Sequence, residues 1–422
     1  MKHVKFEGYK KLARGAYIKW LQFIKWVVIS GIIGVAVGLT GTAFSYGMNW
    51  ATQQRNAHPR IILGLPLAGL VIVFLYHLAK RDNDKGTNSV LLAIRSKEQL
   101  AITVAPLIFI STILTHLFGG SAGREGAALQ MGGSIGNWFG KVFRLKSAEV
   151  RVVIMCGMSA CFAALFGTPL AAAVFSMEVV NVGIMYYSAL VPCVLASLIA
   201  VGIAGVCGVP KEVMTILEIP EFTFATGAKT LLLSILCAVV SISFCMVLHF
   251  VAKQAQKWFP NAAVRIVVAG IVIIGLTALI QSTDYLGTGM HVIEHCIMNG
   301  EAKPFAFLLK MLFTAITLGA GYKGGEIVPT FFVGATFGCV MGSVLGLPAS
   351  LCAAVGMIAV FCGVTNSPIT SLLIALELFG MDAAWFFLLA VGISYMLSGY
   401  HSLYHTQKIV YSKYDAGEAD MM

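Results

Sequence analysis

One carboxylate lies in the middle of a glycine-rich stretch that has apolar sequence on both sides. The stretch runs from Gly119 to Gly133, holds six glycines in fifteen residues, and carries Glu125 near its centre. Residues 106–118 before it are mainly apolar, and residues 126–140 after it carry no charge. An ionised side chain inside a membrane segment costs roughly 2.5–3.5 kcal/mol on insertion scales, so a glutamate in this position indicates a function.

The glycines predict that the backbone breaks at this stretch and then restarts as a helix. A helix that starts at membrane depth presents free N–H groups and roughly half a positive charge at its first turn. Such a start binds anions, and the carboxylate of Glu125 lies where it can itself fill the site. The alternative is that the glycines only form a close helix-packing face.

Hydropathy places the chain in a membrane. Its residues are 58% hydrophobic and only 11% charged, whereas a soluble domain is typically about 25% charged. Several of its apolar runs are shorter than the ~20 residues of a full span, which predicts broken or re-entrant helices within an all-α polytopic membrane protein. The apolar runs are Trp26–Met48, Ile61–Leu78, Thr230–Val251, Ile266–Ile280, Phe305–Leu318, Phe331–Leu347, Ala349–Val364 and Trp385–Leu397.

The net charge of +10 is concentrated in an N-terminal basic arm, residues 1–25. The positive-inside rule puts this arm in the cytoplasm, and we predict a multi-pass protein of the cell membrane with both termini cytoplasmic. The arm is too long, and lacks the small-residue cleavage site, for a cleavable signal peptide. A nucleic-acid partner is not expected, because the arm continues directly into a span. Its basic residues are Lys2, Lys5, Lys10, Lys11, Arg14, Lys19 and Lys25.

Landmarks of the first half of the chain recur in the second half. Gly86-Thr87 lies 39 residues before Glu125, and Gly287-Thr288 lies 39 residues before Glu326. The offset between the two halves is 201 residues at these positions. Two homologous halves with interrupted segments at matching positions are typical of transporters that bind their substrate at the repeat interface.

A second pair of landmarks supports the repeat. Pro169 precedes Glu178 by nine residues, and Pro368 precedes Glu377 by nine. We interpret both glutamates as groups that cap or brace backbone. The spacing leaves parallel and inverted repeats open, although inverted repeats are commoner in such folds. The predicted units are the arm 1–25, a first membrane repeat 26–206, a linker 207–229, a second membrane repeat 230–410 and a cytoplasmic tail 411–422.

The second half contains a counterpart of the glycine-rich stretch. Gly321–Pro329 has three glycines, then Glu326, then Ile327 and Val328, and it ends in a proline that the first turn of a helix tolerates. We therefore expect two helix starts that face each other, each with a carboxylate. The alternative is that the Glu326 carboxylate only interacts favourably with the dipole of its own helix.

Three further segments are candidates for lining an anion path. Gly86-Thr87-Asn88 predicts a third helix start rich in donors, although Thr87 and Asn88 also fit a plain helix cap. Tyr404 lies in the hydroxyl-rich break 398–405 and can offer an O–H group, or it is an interface aromatic. Phe331 can present a partly positive ring edge to an anion, or it simply packs.

These residues resemble a known family. Gly123-Arg124-Glu125-Gly126, the Gly-Gly-x-x-x-Pro of 324–329 and Tyr404 near the C-terminus are similar to the motifs of the CLC chloride channel and antiporter family, over residues 25–410. The resemblance implies a CLC-type inverted repeat of tilted, partly broken helices, and a homodimer with one pore per subunit. It also implies that Glu125 gates the path, filling it when ionised and swinging out when protonated.

Departures from the chloride-selective pattern resemble the fluoride/proton antiporter branch of that family. Gly86-Thr87-Asn88 stands in place of Gly-Ser-Gly-Ile-Pro, and the fluoride branch often has Met-Asn at the positions of Thr87-Asn88. Glu326 directly follows Gly324-Gly325. Val179 stands where proton-coupled chloride members carry a second glutamate. We expect Glu125 and Glu326 to transfer protons, with Glu326 replacing that glutamate. The resemblance implies an anion site of Gly86, Thr87, Asn88, Arg124, Glu125, Gly126, Ile327, Val328, Phe331 and Tyr404.

The expected function is export of cytoplasmic fluoride in exchange for protons by a secondary transporter, not an enzyme, without cofactor or metal. Fluoride is small and strongly hydrated, so its dehydration requires several close donors. The alternatives are a chloride or nitrate antiporter and a passive anion channel. His291-Val292-Ile293-Glu294-His295 also matches the H-x-x-E-H motif of some zinc peptidases, but no third ligand is evident near it.

Overall fold

The structure is a computed structural model that describes residues 2–96 and 100–414, with side chains from residue 14 onward. Most of the predicted tail, residues 415–422, lies outside the described residues, as do the side chains of the first four basic residues of the arm. The helices that it describes are α1 (Lys2–Ala57), α2 (Leu65–Leu78), α3 (Thr87–Arg95), α4 (Val104–Leu117), α5 (Glu125–Val142), α6 (Ser147–Phe166), α7 (Pro169–Glu178), α8 (Leu190–Val206), α9 (Phe224–Trp258), α10 (Ala262–Ile280), α11 (Met290–Asn299), α12 (Ala306–Ala320), α13 (Ile327–Leu345), α14 (Ala349–Thr365), α15 (Pro368–Phe379) and α16 (Ala384–Leu397).

The lengths of these helices confirm the prediction of an all-α polytopic membrane protein with broken helices. Within the described residues, seven helical segments are long and apolar enough to cross a membrane, and six further apolar helices have only 10–17 residues. The short strands β1 (Asn181–Val182) and β2 (Lys408–Ile409) pair in parallel and attach the segment after α16 to the segment after α7. The protein therefore spans the membrane with both full-length and partial helices.

The first helix is much longer than the apolar run that predicted it. The run covered Trp26–Met48, whereas α1 extends from Lys2 to Ala57. Hydropathy marks only the part of a helix that suits the membrane interior. The residues on either side include no proline, so nothing in the backbone ends the helix where the apolar side chains end.

The two halves of the chain are related as an inverted repeat. Within the described residues each half supplies eight α-helices. Their packing partners correspond: α5 packs on α6 as α13 packs on α14, and α1 packs on α8 as α9 packs on α16. The helices α7 and α15 pack on each other across the boundary. The backbones of Gly123 and Gly325 form an antiparallel bridge. Pairing of equivalent elements with each other is what a two-fold axis between the halves produces.

Glu178 and Glu377 brace this two-fold relation reciprocally. Glu178, the last residue of α7, accepts hydrogen bonds from the backbone N–H groups of Ile369 (3.0 Å) and Thr370 (2.8 Å) at the start of α15. Glu377 near the end of α15 accepts bonds from Leu170 N (3.0 Å) and from the next N–H group of α7 (2.9 Å). Each carboxylate therefore satisfies free donors at the start of the other helix, which confirms their interpretation as caps.

Substitution of Glu178 by glutamine should lower stability. Glu178 also accepts the Thr370 hydroxyl at 2.6 Å, and glutamine offers one acceptor oxygen where the carboxylate offers two. Hydrogen bonds to charged groups contribute about 1.5–3 kcal/mol, so the midpoint of thermal unfolding in detergent should fall clearly. The exposed Glu218→Gln is the matched control and should melt like the native protein. An unchanged midpoint for Glu178→Gln would contradict the bracing role.

Candidate anion-binding site

Two helix starts meet in the centre of the protein because glycine lets their backbones touch. The N–H of Gly123 donates to Gly325 O at 2.6 Å, and the N–H of Gly325 donates to Gly123 O at 2.7 Å. A Cβ atom on Gly325 would lie 2.4 Å from the nitrogen of Gly126. This close approach places the first turns of α5 and α13 side by side, as the sequence predicted. The positive ends of two helices therefore point at one small volume.

The carboxylate of Glu125 occupies that volume. Its side chain is fully buried. Oε2 accepts hydrogen bonds from the backbone N–H of Arg124 (3.0 Å) and, across the repeat boundary, from that of Val328 (3.4 Å). The carboxylate thus holds the place that an anion would take between the two helix starts.

The other oxygen of Glu125 faces Arg124. Oε1 lies 3.5 Å from Arg124 Nε, and neither of these atoms has a hydrogen-bond partner. The guanidinium instead bonds through Nη2 to Glu212, a residue of the linker after α8. Arg124 therefore serves the site through its backbone N–H and through a positive charge that two carboxylates share.

A third helix start, that of α3, adjoins the first two. Gly86 precedes it with φ +61° and ψ −137°, a conformation that favours glycine. The Thr87 hydroxyl is buried and lies 3.5 Å from the carbonyl oxygen of Gly126. Asp84 accepts from the N–H of Gly86 (3.3 Å) and forms an ion pair with Lys323 (3.5 Å), just before α13. These contacts tie the third start to both of the others.

Tyr404 completes the site from the C-terminal segment. It is 2% exposed, and its hydroxyl has no hydrogen-bond partner, although it lies within electrostatic range of Glu326 and Glu125. The nearby Thr406 donates its N–H and its hydroxyl to Asn88 Oδ1 at 3.2 and 3.0 Å. The oxygen of Asn88 therefore anchors the Tyr404 segment to the start of α3.

Glu326 is the residue immediately before α13, and its side chain does not cap that helix. Its Oε2 is buried and has no hydrogen-bond partner. A Cβ atom on Gly126 would lie 3.3 Å from this oxygen, so the carboxylate faces the start of α5. An unpartnered buried carboxyl oxygen is costly. Its orientation therefore favours a role toward the site over a role within its own helix.

The remaining predicted residues of α13 lie in its first two turns. Ile327 and Val328 are fully buried, and Val328 contributes its backbone N–H. The ring of Phe331 packs against Phe166, with centroids 6.0 Å apart, and against Phe361 at 5.1 Å. These contacts support the packing interpretation of Phe331.

The structure adds two groups that sequence reasoning missed. Gln130, one turn into α5, donates from Nε2 to Gly126 O at 3.2 Å and leaves its buried Oε1 unpartnered. Its amide within residues 126–140, which carry no charge, was a usable signal. Glu212 had no such signal, because it is one of several charged residues in a polar linker.

The H-x-x-E-H segment lies on α11, where each histidine has its own acidic neighbour. His291 Nε2 is 3.5 Å from Asp284, and His295 Nε2 is 3.4 Å from Glu301. In the part of the chain with described side chains, no three His, Cys, Asp or Glu residues are grouped as a metal ion would require. This geometry gives the zinc peptidase alternative no support.

Comparison with known proteins places these features in a family context. Residues 67–399 match the family model described as voltage gated chloride channel. The chain is 34% identical over 412 residues to the chloride/fluoride channel protein of Pseudomonas syringae pv. tomato, covering 96% of this chain and 91% of that protein. It is 26% identical over 383 residues to the H(+)/Cl(-) exchange transporter ClcA of Yersinia pseudotuberculosis, covering 83% and 80%.

Two solved structures are similar over most of their length. A crystal structure of a CLC-type fluoride/proton antiporter superimposes with a TM-score of 0.89 at 31% identity, covering 92% of this chain and 99% of that one. A slow cyanobacterial Cl-/H+ antiporter superimposes with a TM-score of 0.76 at 21% identity, covering 88% and 94%. The second likeness shows the shared fold.

Substitution of Gly325 by alanine should abolish anion transport. The added methyl group would meet the Gly126 nitrogen at 2.4 Å, and the two helix starts would have to move apart. The measurement is halide efflux from liposomes that contain the purified protein. Gly392→Ala in α16 is the matched control, because its methyl group would meet nothing within 4 Å. Native efflux from Gly325→Ala would show that the close approach is not required.

Proposed function

This chain belongs to the voltage gated chloride channel family, and we propose that it is a fluoride/proton antiporter that exports cytoplasmic fluoride in exchange for protons. Members of the family are membrane transporters and channels rather than enzymes. The observation that carries the proposal is the position of the Glu125 carboxylate, which is held by backbone N–H groups from the starts of two helices in opposite halves. The ionised carboxylate and a transported anion then compete for one place.

The exchange cycle follows from that competition. While Glu125 is ionised it fills the site and excludes other anions. Protonation removes its charge and weakens its bonds to the N–H groups of Arg124 and Val328, because a charged acceptor binds about twice as strongly as a neutral one. The neutral side chain leaves, and an anion takes its place against the same donors. Loss of the proton on the opposite side of the membrane returns the carboxylate and completes one exchange.

Glu326 is the second proton-transfer group in this proposal. Its buried, unpartnered Oε2 faces the start of α5. Val179 occupies the position where the proton-coupled chloride members carry their internal glutamate. A protonated carboxyl group is also a hydrogen-bond donor, so Glu326 and Glu125 can each present a donor to a bound anion.

The set of donors favours fluoride over chloride. Fluoride must exchange a tight hydration shell for several short hydrogen bonds, and here helix-start N–H groups, the Thr87 hydroxyl and the unpartnered Tyr404 hydroxyl converge. The named functions of the Pseudomonas relative and of the solved antiporter at 31% identity support this choice. Chloride/proton exchange is the second candidate, which the 26% identity to the Yersinia exchanger favours.

We also propose a homodimer with an independent pore in each subunit, as is typical of the family. The proposed units remain the arm 1–25, the repeats 26–206 and 230–410, the linker 207–229 and the tail 411–422. With the basic arm in the cytoplasm, the linker lies on the external side, since the Tyr46 hydroxyl in the far part of α1 donates to the carbonyl of Cys207.

Liposomes loaded with fluoride or with chloride test the anion. The native protein should release fluoride quickly and chloride slowly, as followed with ion-selective electrodes, while protein-free liposomes release neither. The reason is that the hydrogen-bond donors described above offset the dehydration cost of fluoride better than that of chloride. Comparable release of both anions would contradict the fluoride assignment and favour the second candidate.

Substitution of Glu326 by glutamine should reduce proton uptake during fluoride efflux at least tenfold. An amide has no proton to exchange, although it can still bind an anion. Simultaneous recording of external pH and external fluoride measures the coupling. Glu301→Gln, an exposed change in the same half, should exchange as the native protein does. Full coupling in Glu326→Gln would remove Glu326 from the proton path.

A further inference from the structure

The linker between the two repeats sends one side chain into the site. Glu212 bonds through Oε1 to Arg124 Nη2, and the two side chains are 18% and 10% exposed. Its second carboxyl oxygen, Oε2, is buried and has no hydrogen-bond partner. A charge is taken out of water only where a partner compensates it, so this contact fixes the position of the linker residue and of the guanidinium together.

Glu212 holds the guanidinium at a distance from Glu125. Arg124 Nη2 is engaged by Glu212 and lies 3.5 Å from Leu165 O, while the guanidinium carbon lies 5.9 Å from the centre of the Phe166 ring. Its Nε remains 3.5 Å from Glu125 Oε1 without a hydrogen bond. The arginine therefore approaches the gate carboxylate but does not form the bidentate pair that its geometry allows.

The shared charge determines how readily Glu125 becomes neutral. An opposite charge within about 4–6 Å favours the ionised form of a carboxyl group. Glu212 cancels part of the charge of Arg124 and also repels an ionised Glu125, so both of its effects favour protonation of Glu125. Without Glu212, the uncompensated arginine would turn to Glu125 and hold it ionised in the anion site.

We propose that Glu212 is a positioning residue that sets the external pH at which Glu125 takes up its proton, by holding and neutralising Arg124. The inference rests on the proposed function, since it requires proton exchange at Glu125. Among the described side chains, the other ionisable groups near this pair are Glu294 of α11, which interacts electrostatically with Glu212, and Tyr404, which interacts with both Glu125 and Glu326. All three are unchanged in the variants below, so the test isolates Glu212.

The test compares fluoride-driven proton uptake by native protein, Glu212→Gln and Glu218→Gln in liposomes over a series of external pH values. For Glu212→Gln, the pH of half-maximal exchange should fall by about one unit. This value is near the lower end of the pKa shifts that a neighbouring opposite charge causes in a carboxyl group. At external pH values well above the native midpoint, exchange should therefore fall about tenfold, and it should recover in acid. Glu218→Gln removes an exposed charge from the same linker and should keep the native profile.

Two results would overturn the inference: an unmoved pH profile in Glu212→Gln, or a rate lowered by the same factor at every pH, as a merely structural role predicts. Failure of the native protein to couple fluoride to protons would instead contradict the proposed function. If Glu212→Gln does not fold, Glu212→Asp replaces it. The shorter acid reaches Arg124 less well, so its profile should move in the same direction by a smaller amount, and an unmoved profile would again overturn the inference.

Discussion

A carboxylate buried at membrane depth requires compensation, and here the starts of two helices provide it. The side chain of Glu125 is fully buried, and its Oε2 accepts N–H groups from Arg124, immediately before α5, and from Val328 of α13. Either helix start alone would supply only one of these two N–H groups. The mutual backbone bridge between Gly123 and Gly325 brings the two starts together. The fold is thus arranged so that a negative charge is stable in one place, which we propose is shared in turn by the Glu125 carboxylate and a transported anion.

The inverted repeat explains why two such starts meet. Equivalent segments related by a two-fold axis within the membrane reach the centre from opposite sides. In each half, a glutamate follows the glycine-rich break that precedes the helix. The exchanged caps of Glu178 and Glu377 hold the halves in register away from the site. The Asp84–Lys323 pair does the same beside it. The contacts that join the halves and the candidate site therefore follow the same symmetry.

Much of this arrangement was predictable from sequence, because it follows from spacing and from local chemistry. The recurrence of Gly86-Thr87 and Glu125 as Gly287-Thr288 and Glu326 predicted the repeat, and glycines before a carboxylate predicted both helix starts. Glu212 was not predictable, because its contact with Arg124 joins residues 88 positions apart in a linker without periodicity. The full extent of α1 was missed because hydropathy identifies the residues that suit the membrane interior and not the ends of the helix.

The central claim is that Glu125 and the transported anion compete for one site, and a binding measurement tests it most directly. Calorimetric titration of the detergent-solubilised protein with fluoride, over a series of pH values, would compare native protein with Glu125→Gln. Competition predicts that native affinity rises as pH falls, whereas Glu125→Gln binds tightly at all pH values because its amide carries no charge to displace. Equal affinities of the two proteins at neutral pH would contradict the claim.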